Sequence, residues 1–340
     1  MPVKPGAALS QNNTDRPLPL AAVFSVEGTA LNDAERSLFS AAQPFGFILF
    51  GRNCENPAQL RALTEDLRAC VGWDCPVMID QEGGRVARLK SPHWDVWSPA
   101  MDYGKDVAAN PETGKMRLYR DMKTMAETLL KSGIDVNCAP VLDVLRPETH
   151  DVIGDRAYSD DPEIVAQAGD AVCQAFLEAG IVPIIKHLPG HGRALCDSHL
   201  DLPVVTATLA ELAETDFQPF ASLCRRPYAK SLWGMVAHVI YTAIDPERPA
   251  TLSEKVIRDI IRGRIGFDGL LFSDDLDMKA LDKFGPVDQR ARESLQAGCD
   301  LALYCWAKQD VMEKLAANLP PLSAAGWARW QASLEARWAA

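Results

Sequence analysis

No stretch of this 340-residue chain approaches the roughly 20 consecutive apolar residues that a membrane-spanning helix needs. Its polar, proline-bearing start, M-P-V-K-P-G-A-A-L-S-Q-N-N-T-D-R-P, lacks the apolar core of a signal peptide. No basic run offsets the formal net charge of −11, so the electrostatic footprint of a nucleic-acid-binding protein is missing. The nine cysteines are odd in number and show neither CxxC nor zinc-ligand spacing. Several sit in apolar runs, where a free thiol acts as a small buried hydrophobe. There is no low-complexity linker and no shift of composition along the chain. These absences predict a reduced cytoplasmic enzyme without nucleic-acid or membrane partners; a monomer is expected, though no feature of the sequence fixes it.

What the chain does contain is one repeated theme. Residues 1–18 read as a flexible leader. From Leu20 a short apolar run, a polar or glycine-rich junction and a helical stretch recur. The runs are Ala21–Val26, Gly46–Phe50, Pro76–Ile79, Ile134–Ala139, Ile181–Ile185, Gly234–Ala237, Gly269–Phe272 and Leu301–Tyr304. Helical patterns between them include Pro57–Cys70, Lys115–Lys131, Pro162–Ala179, Thr208–Ser222, Ser253–Arg262 and Val287–Ala297. Eight runs alternating with helices predict an α/β fold, a (β/α)8 TIM-like barrel in a single domain over residues 19–340. No dinucleotide-type glycine fingerprint follows the first run, which disfavours an open Rossmann sheet. A closing helix is expected over Ala324–Ala339, with its tryptophans packed on the barrel.

The stretch from Ile181 to Leu200, I-V-P-I-I-K-H-L-P-G-H-G-R-A-L-C-D-S-H-L, concentrates the chemistry. A buried parallel strand ends in Lys186 and His187, and a loop then carries Asp197, Ser198 and His199. His187 and His191 are four apart, but Pro189 and Gly190 between them argue against a helical metal pair. Asp197 and His199 are separated by one residue, so in an extended segment both side chains point the same way. A carboxylate beside an imidazole fixes its tautomer and suits a general acid/base. A surface turn with the same letters is the bland alternative.

In a closed barrel, residues following the strands converge on one rim. Those positions hold Asp80 to Arg88, Asp143 and then Gly154-Asp155-Arg156, Lys186 and His187, His238, and Ser273-Asp274-Asp275. The set contains acids, Arg, Lys and His, with no serine or cysteine in a nucleophile setting. Lys186 beside His187 would repel a divalent cation, and the first run carries no H-x-H pair, so no metal is expected. Asp80, Arg156, Lys186 and His187 could each bind hydroxyls of a small-molecule carbohydrate by charge-assisted bonds. Asp274 is the candidate nucleophile of a sugar-bond hydrolysis with retention, and His199, oriented by Asp197, would stand in for the usual second carboxylate. Ser273-Asp274-Asp275 could equally be a helix cap with an acidic first turn.

The residues resemble glycoside hydrolase family 3, and within it the single-domain bacterial β-N-acetylglucosaminidases of cell-wall recycling, the NagZ type. The motifs that carry the resemblance begin with G-F-I-L-F-G-R-N (46–53), I-D-Q-E-G-G-R-V-A-R (79–88), A-P-V-L-D-V (139–144) and I-G-D-R-A-Y (153–158). They continue with K-H-L-P-G-H-G (186–192), D-S-H (197–199), A-H-V-I-Y (237–241) and G-F-D-G-L-L-F-S-D-D-L-D-M (266–278). The resemblance implies a covalent glycosyl-aspartate on Asp274, His199 as acid/base with Asp197 as its partner, and no cofactor or metal. It implies further that Asp80, Arg88, Arg156, Lys186 and His187 grip a terminal N-acetylglucosamine. The implied substrate is GlcNAc-1,6-anhydro-N-acetylmuramic acid, with or without its peptide. Leu188 where phenylalanine is frequent, the R-A-L-C before Asp197, and the extra segment 225–230 depart from the pattern.

Two other readings stay open at this point. A glycoside phosphorylase would exploit the same histidine, because a neutral or cationic imidazole repels phosphate less than a carboxylate does. A non-catalytic sugar-sensing barrel would bind without turnover.

Overall fold

The eight apolar runs lie side by side because each is hydrophobic on both faces and can be buried only inside a closed parallel sheet. The computed structural model describes residues 17–147, 149–194 and 202–339. In chain order its strands are β1 (Leu20–Ser25), β2 (Pro44–Leu49), β3 (Val77–Ile79), β4 (Val136–Asn137), β5 (Val182–Leu188), β6 (Val204–Val205), β7 (Trp233–Val236), β8 (Ile240–Tyr241), β9 (Leu271–Asp275) and β10 (Leu301–Leu303). All but β6 and β8 close one barrel in the order β1-β10-β9-β7-β5-β4-β3-β2, every neighbour parallel. The fold is a (β/α)8 TIM-like barrel, as the alternation of runs and helices predicted. The remaining two, β6 and β8, pair with each other beside it.

The helices that return the chain are α1 (Asp33–Ala42), α2 (Pro57–Val71), α3 (Ala100–Ala109), α4 (Pro111–Lys131), α5 (Pro162–Ala179), α6 (Leu209–Glu214), α7 (Gln218–Leu223), α8 (Val287–Ala297), α9 (Gln309–Asn318) and α10 (Ala324–Ala339). Three begin on the same device: Asn56-Pro57, Asn110-Pro111 and Asp161-Pro162 place an N-capping side chain before a proline whose missing N–H would be unpaired anyway. The helix expected over Lys115–Lys131 therefore starts four residues earlier, at Pro111.

The helix expected over Thr208–Ser222 is two short helices, α6 and α7, and needs correcting. Asp216 lies in the break, wholly buried, and accepts from Arg193 Nε at 2.7 Å. Pro219 opens α7 and cannot donate to the Thr215 carbonyl, so a continuous helix cannot run through this point. Between β8 and β9, Val256–Arg264 winds as a wider π-type helix, closed by Ile265 N–H to the Ile260 carbonyl.

The barrel interior is packed with side chains such as Ile48, Met78, Ile184, Trp233 and Phe272, so it is a core and not a pore. The N-terminal mouth is closed by α10. Trp330 packs edge-on against Phe45 and Trp73, and the Trp233 indole donates to Ser333 Oγ at 3.0 Å. Among the described residues no helix is long and apolar enough to cross a membrane.

Candidate active site

At the C-terminal ends of the strands the apolar filling stops and charged groups line a cavity of about 320 Å³. Asp80 follows β3, Lys186 and His187 lie in β5, and Asp274 and Asp275 end β9. The β5–β7 register shifts between Ile185 and Leu188, an irregularity that lets consecutive side chains, Lys186 and His187, both reach the cavity. Arg88 and Arg156 come in from the loops after β3 and β4. Six of the eight predicted site residues therefore share one wall: Asp80, Arg88, Arg156, Lys186, His187 and Asp274. The other two, Asp197 and His199, lie outside the described residues.

An ion network ties most of this wall together. Lys186 Nζ donates to Asp80 Oδ1 at 2.8 Å and lies 2.7 Å from Glu82 Oε1. Arg88 reaches the second Asp80 oxygen at 3.1 Å. Arg156 forks onto Glu82 through Nε and Nη2, both at 2.8 Å. Burial alone would raise the Asp80 carboxyl, but Lys186 and Arg88 outweigh it and hold it well below the usual carboxylate range. Burial opposes ionisation of Glu82 as well, and Arg156 and Lys186 bring it down to about 2. On the cationic side, burial works against Lys186 and Arg156, and their carboxylate partners raise both. Asp80, Glu82, Arg156 and Lys186 are thus charged at neutral pH and paired before a ligand arrives, while the Arg88 Nε is buried without a partner among the described residues.

A second anchor fixes the turn after Lys186. Asp143, wholly buried, accepts from the His187 ring at 2.7 Å, from the His187 N–H at 3.2 Å and from the His191 N–H at 2.7 Å. Burial favours its neutral form, and the two histidines reverse this and bring it to about 2. His191 is buried too, and burial lowers its imidazole to about 4. His238 does not enter the cavity. It is buried with Nδ1 at 2.8 Å from Thr251 Oγ1 and Nε2 at 2.9 Å from the Asp275 carbonyl, bracing the strand end from behind.

Asp274 is partly exposed in the cavity wall, and one of its oxygens accepts from the Asp275 N–H at 2.8 Å. Asp275 turns inward. Its carboxylate accepts from the Trp306 indole at 2.7 Å, the Cys305 N–H at 3.2 Å and the Asp277 N–H at 3.3 Å. Burial nevertheless lifts it to about 7, and the neighbouring Asp274 charge adds to the lift.

Sequence reasoning did not single out Glu82, Arg52 or Trp306, which line the same cavity. The useful signal is the residues just past each strand's carboxyl end. Carried on to β2 and β10, it would have reached Arg52 and Trp306. Glu82 lies as close behind β3, inside the stretch Asp80 to Arg88, but nothing in the sequence sets it apart from its neighbours as the partner of Arg156. No group of three or more His, Cys, Asp or Glu side chains among the described residues is arranged to hold a metal ion.

Comparison with known proteins points the same way. Residues 18–325 match the glycosyl hydrolase family 3 N terminal domain. The chain is 41% identical over 288 residues to a beta-hexosaminidase of Alkalilimnicola ehrlichii, covering 83% of this chain and 80% of that one. A beta-hexosaminidase of Thiobacillus denitrificans is 37% identical over 310 residues, 90% of this chain and 85% of the other. Among solved structures, NagZ from Neisseria gonorrhoeae in complex with N-trifluoroacetyl-D-glucosamine superposes with a TM-score of 0.85 at 30% identity, over 95% of this chain and 94% of that chain.

Proposed function

The chain belongs to glycosyl hydrolase family 3, and from that premise we propose that this β-N-acetylhexosaminidase is a retaining exo-enzyme that removes non-reducing terminal GlcNAc from peptidoglycan fragments. Its substrate in this reading is GlcNAc-1,6-anhydro-N-acetylmuramic acid, with or without peptide, met by a monomer in the cytoplasm. The observation that carries the reading is the convergence of Asp274 with Asp80, Arg88, Arg156, Lys186 and His187 on one cavity of about 320 Å³. That size lies in the range of small-ligand pockets.

Asp274 attacks the anomeric carbon. His199, held by Asp197, passes its proton to the glycosidic oxygen, which keeps the electron pair of the broken bond. Water then attacks the glycosyl-Asp274 ester while His199 takes up the water's proton, and the carboxylate leaves. Two inversions give overall retention. Asp80, Arg88, Arg156, Lys186 and His187 hold the hydroxyl and acetamido groups of the terminal sugar. Because their mutual ion pairs are made before the substrate arrives, little reorganisation remains for the transition state.

The test is release of 4-nitrophenol from its N-acetyl-β-glucosaminide in phosphate-free and phosphate buffers, with the sugar followed by proton NMR. Free GlcNAc appearing first as the β-anomer in both buffers is expected. An α-product or GlcNAc 1-phosphate would overturn the retaining hydrolase. In the Asp274→Asn protein, turnover should fall by at least about a thousandfold while far-UV circular dichroism stays that of the parent. Near-parental turnover there would remove Asp274 from the nucleophile role.

A further inference from the structure

Asp274 is held by more than its place at the end of β9. One carboxylate oxygen accepts from the Asp275 N–H at 2.8 Å, so the backbone of the next residue aims it. That backbone is held in turn, because the Asp275 carbonyl accepts from His238 Nε2 at 2.9 Å. Residue 275 is therefore gripped at both ends, its N–H on Asp274 and its carbonyl on His238. His238 follows β7 and is wholly buried, as is Thr251 in the single turn Ala250–Leu252. The turn is tied to the chain just past His238 by the Ala250 N–H, 2.8 Å from the Val239 carbonyl.

The protons of this chain of contacts follow from its donors and acceptors. A carbonyl only accepts, so Nε2 of His238 carries a hydrogen. Nδ1 lies 2.8 Å from Thr251 Oγ1, whose single hydrogen has three acceptors in reach: Nδ1 itself, the Ala237 carbonyl at 2.9 Å and the Val236 carbonyl at 3.2 Å. If a carbonyl took it, Nδ1 would need a hydrogen of its own and the imidazole would be a cation. Burial opposes that charge most. Arg290 on α8 and His187 on β5 oppose it too, and together they outweigh Asp274 and the Asp275 carbonyl, so the imidazole lies below its ordinary value. Thr251 therefore donates to Nδ1, and His238 is the neutral Nε2–H tautomer.

We propose that His238 and Thr251 are positioning residues for the nucleophile. The Thr251 hydroxyl fixes the tautomer of His238, whose Nε2–H holds the Asp275 carbonyl and so aims the Asp275 N–H at the Asp274 carboxylate. Neither side chain lines the cavity. The inference rests on the reading of Asp274 as nucleophile and deepens it by naming what aims that carboxylate. A carboxylate held in advance needs no ordering as it attacks. The relay should therefore act on bond making and leave the grip on the sugar, which other strands supply, unchanged.

Initial rates on 4-nitrophenyl N-acetyl-β-glucosaminide, with GlcNAc as a competitive inhibitor, separate attack from grip. His238→Leu should lower kcat/KM by about ten- to a hundredfold, with the inhibition constant of GlcNAc unchanged. His238→Gln, whose amide N–H reaches toward the same carbonyl, should recover most of that loss. Thr251→Val keeps the shape of the residue and removes only its hydroxyl. It should cost about two- to tenfold in kcat/KM, the scale of one hydrogen bond, and Thr251→Ser less. Equal losses of turnover and GlcNAc affinity, or no recovery in His238→Gln, would mean that His238 only fills space, and the positioning role falls.

His238→Leu leaves a buried carbonyl unpaired and can fail to fold, so a second measurement uses the unmodified protein. Nitrogen-15 NMR of histidine-labelled protein should show, at neutral pH, a neutral Nε2–H imidazole whose signals vanish in His238→Gln. An imidazolium or an Nδ1–H tautomer at that position overturns the relay whatever the kinetics. If Asp274→Asn is inactive but His238→Leu works at the parental rate, the relay alone is lost. Parental turnover in Asp274→Asn removes the nucleophile reading and the relay with it.

Discussion

Asp275 and His191 are buried in the wall of the same cavity and titrate abnormally in opposite senses. Between its ordinary value of 3.8 and about 7, folded Asp275 keeps a proton that the unfolded chain has lost. Its contribution to stability is complete near pH 4 and drains away as pH rises to 7. His191 does the reverse. The unfolded chain takes a proton below 6.5 that the folded imidazole refuses until about 4, so stability grows with pH over that interval. Each slope is at most about 1.4 kcal/mol per pH unit, and over the shared range they largely cancel. Single variants should unmask them. Asp275→Asn is expected to gain stability with rising pH between 4 and 6.5 more steeply than the parent, and His191→Gln to lose it. Glu82 and Asp143, both near 2, stabilise above their ordinary values and lose that effect as pH falls from there toward 2, mostly below the interval from 4 to 6.5. Urea midpoints across that pH range decide the matter. Parallel curves would mean that burial does not set these two ionisations.

At the level of the element, β5 and its following turn show what sequence can and cannot reveal. Its apolar run was legible because a strand covered on both faces must be apolar throughout, and Lys186 and His187 at its end were legible because a barrel exposes that end. The partners that aim these groups were not. Asp143 looks like any loop acid until it takes the backbone N–H groups of His187 and His191. The break between α6 and α7 was legible in Pro219, which cannot continue a helix, whereas Arg193, which pairs with Asp216 from 23 residues away, was not. The turn is equally dependent on distant backbone. A Cβ on Gly192 would meet the Val144 carbonyl oxygen at 1.9 Å, inside any real contact distance, so the chain must shift. Gly192→Ala should therefore cost about 1–3 kcal/mol of stability. It should also cost about a hundredfold in kcat/KM, the scale of a displacement near 1 Å at a reacting group. Parental turnover in that variant would show that the turn can move without disturbing the site.

Over the whole molecule the barrel separates its two tasks. Charge and ligand contact gather where the strands end, whereas the opposite mouth is sealed by α10 with Trp330 packed 6.2 Å from Phe45, 5.9 Å from Trp73 and 4.3 Å from Trp327. Between the two mouths lies an apolar cluster in which Trp330 packs with Phe45, Trp233 and Phe272. Truncating Trp330 leaves a cavity that this close-packed end can fill only in part, and Trp330→Ala should lose about 3–5 kcal/mol in urea unfolding. A void that far from the reacting groups weakens the fold without moving Asp274 or the ion network. At a temperature where the variant remains folded, its kcat/KM on the aryl glycoside should equal the parent's. A loss of turnover exceeding the unfolded fraction would mean that the floor of the barrel positions the rim, and the division between a stabilising end and a catalytic end would have to be given up.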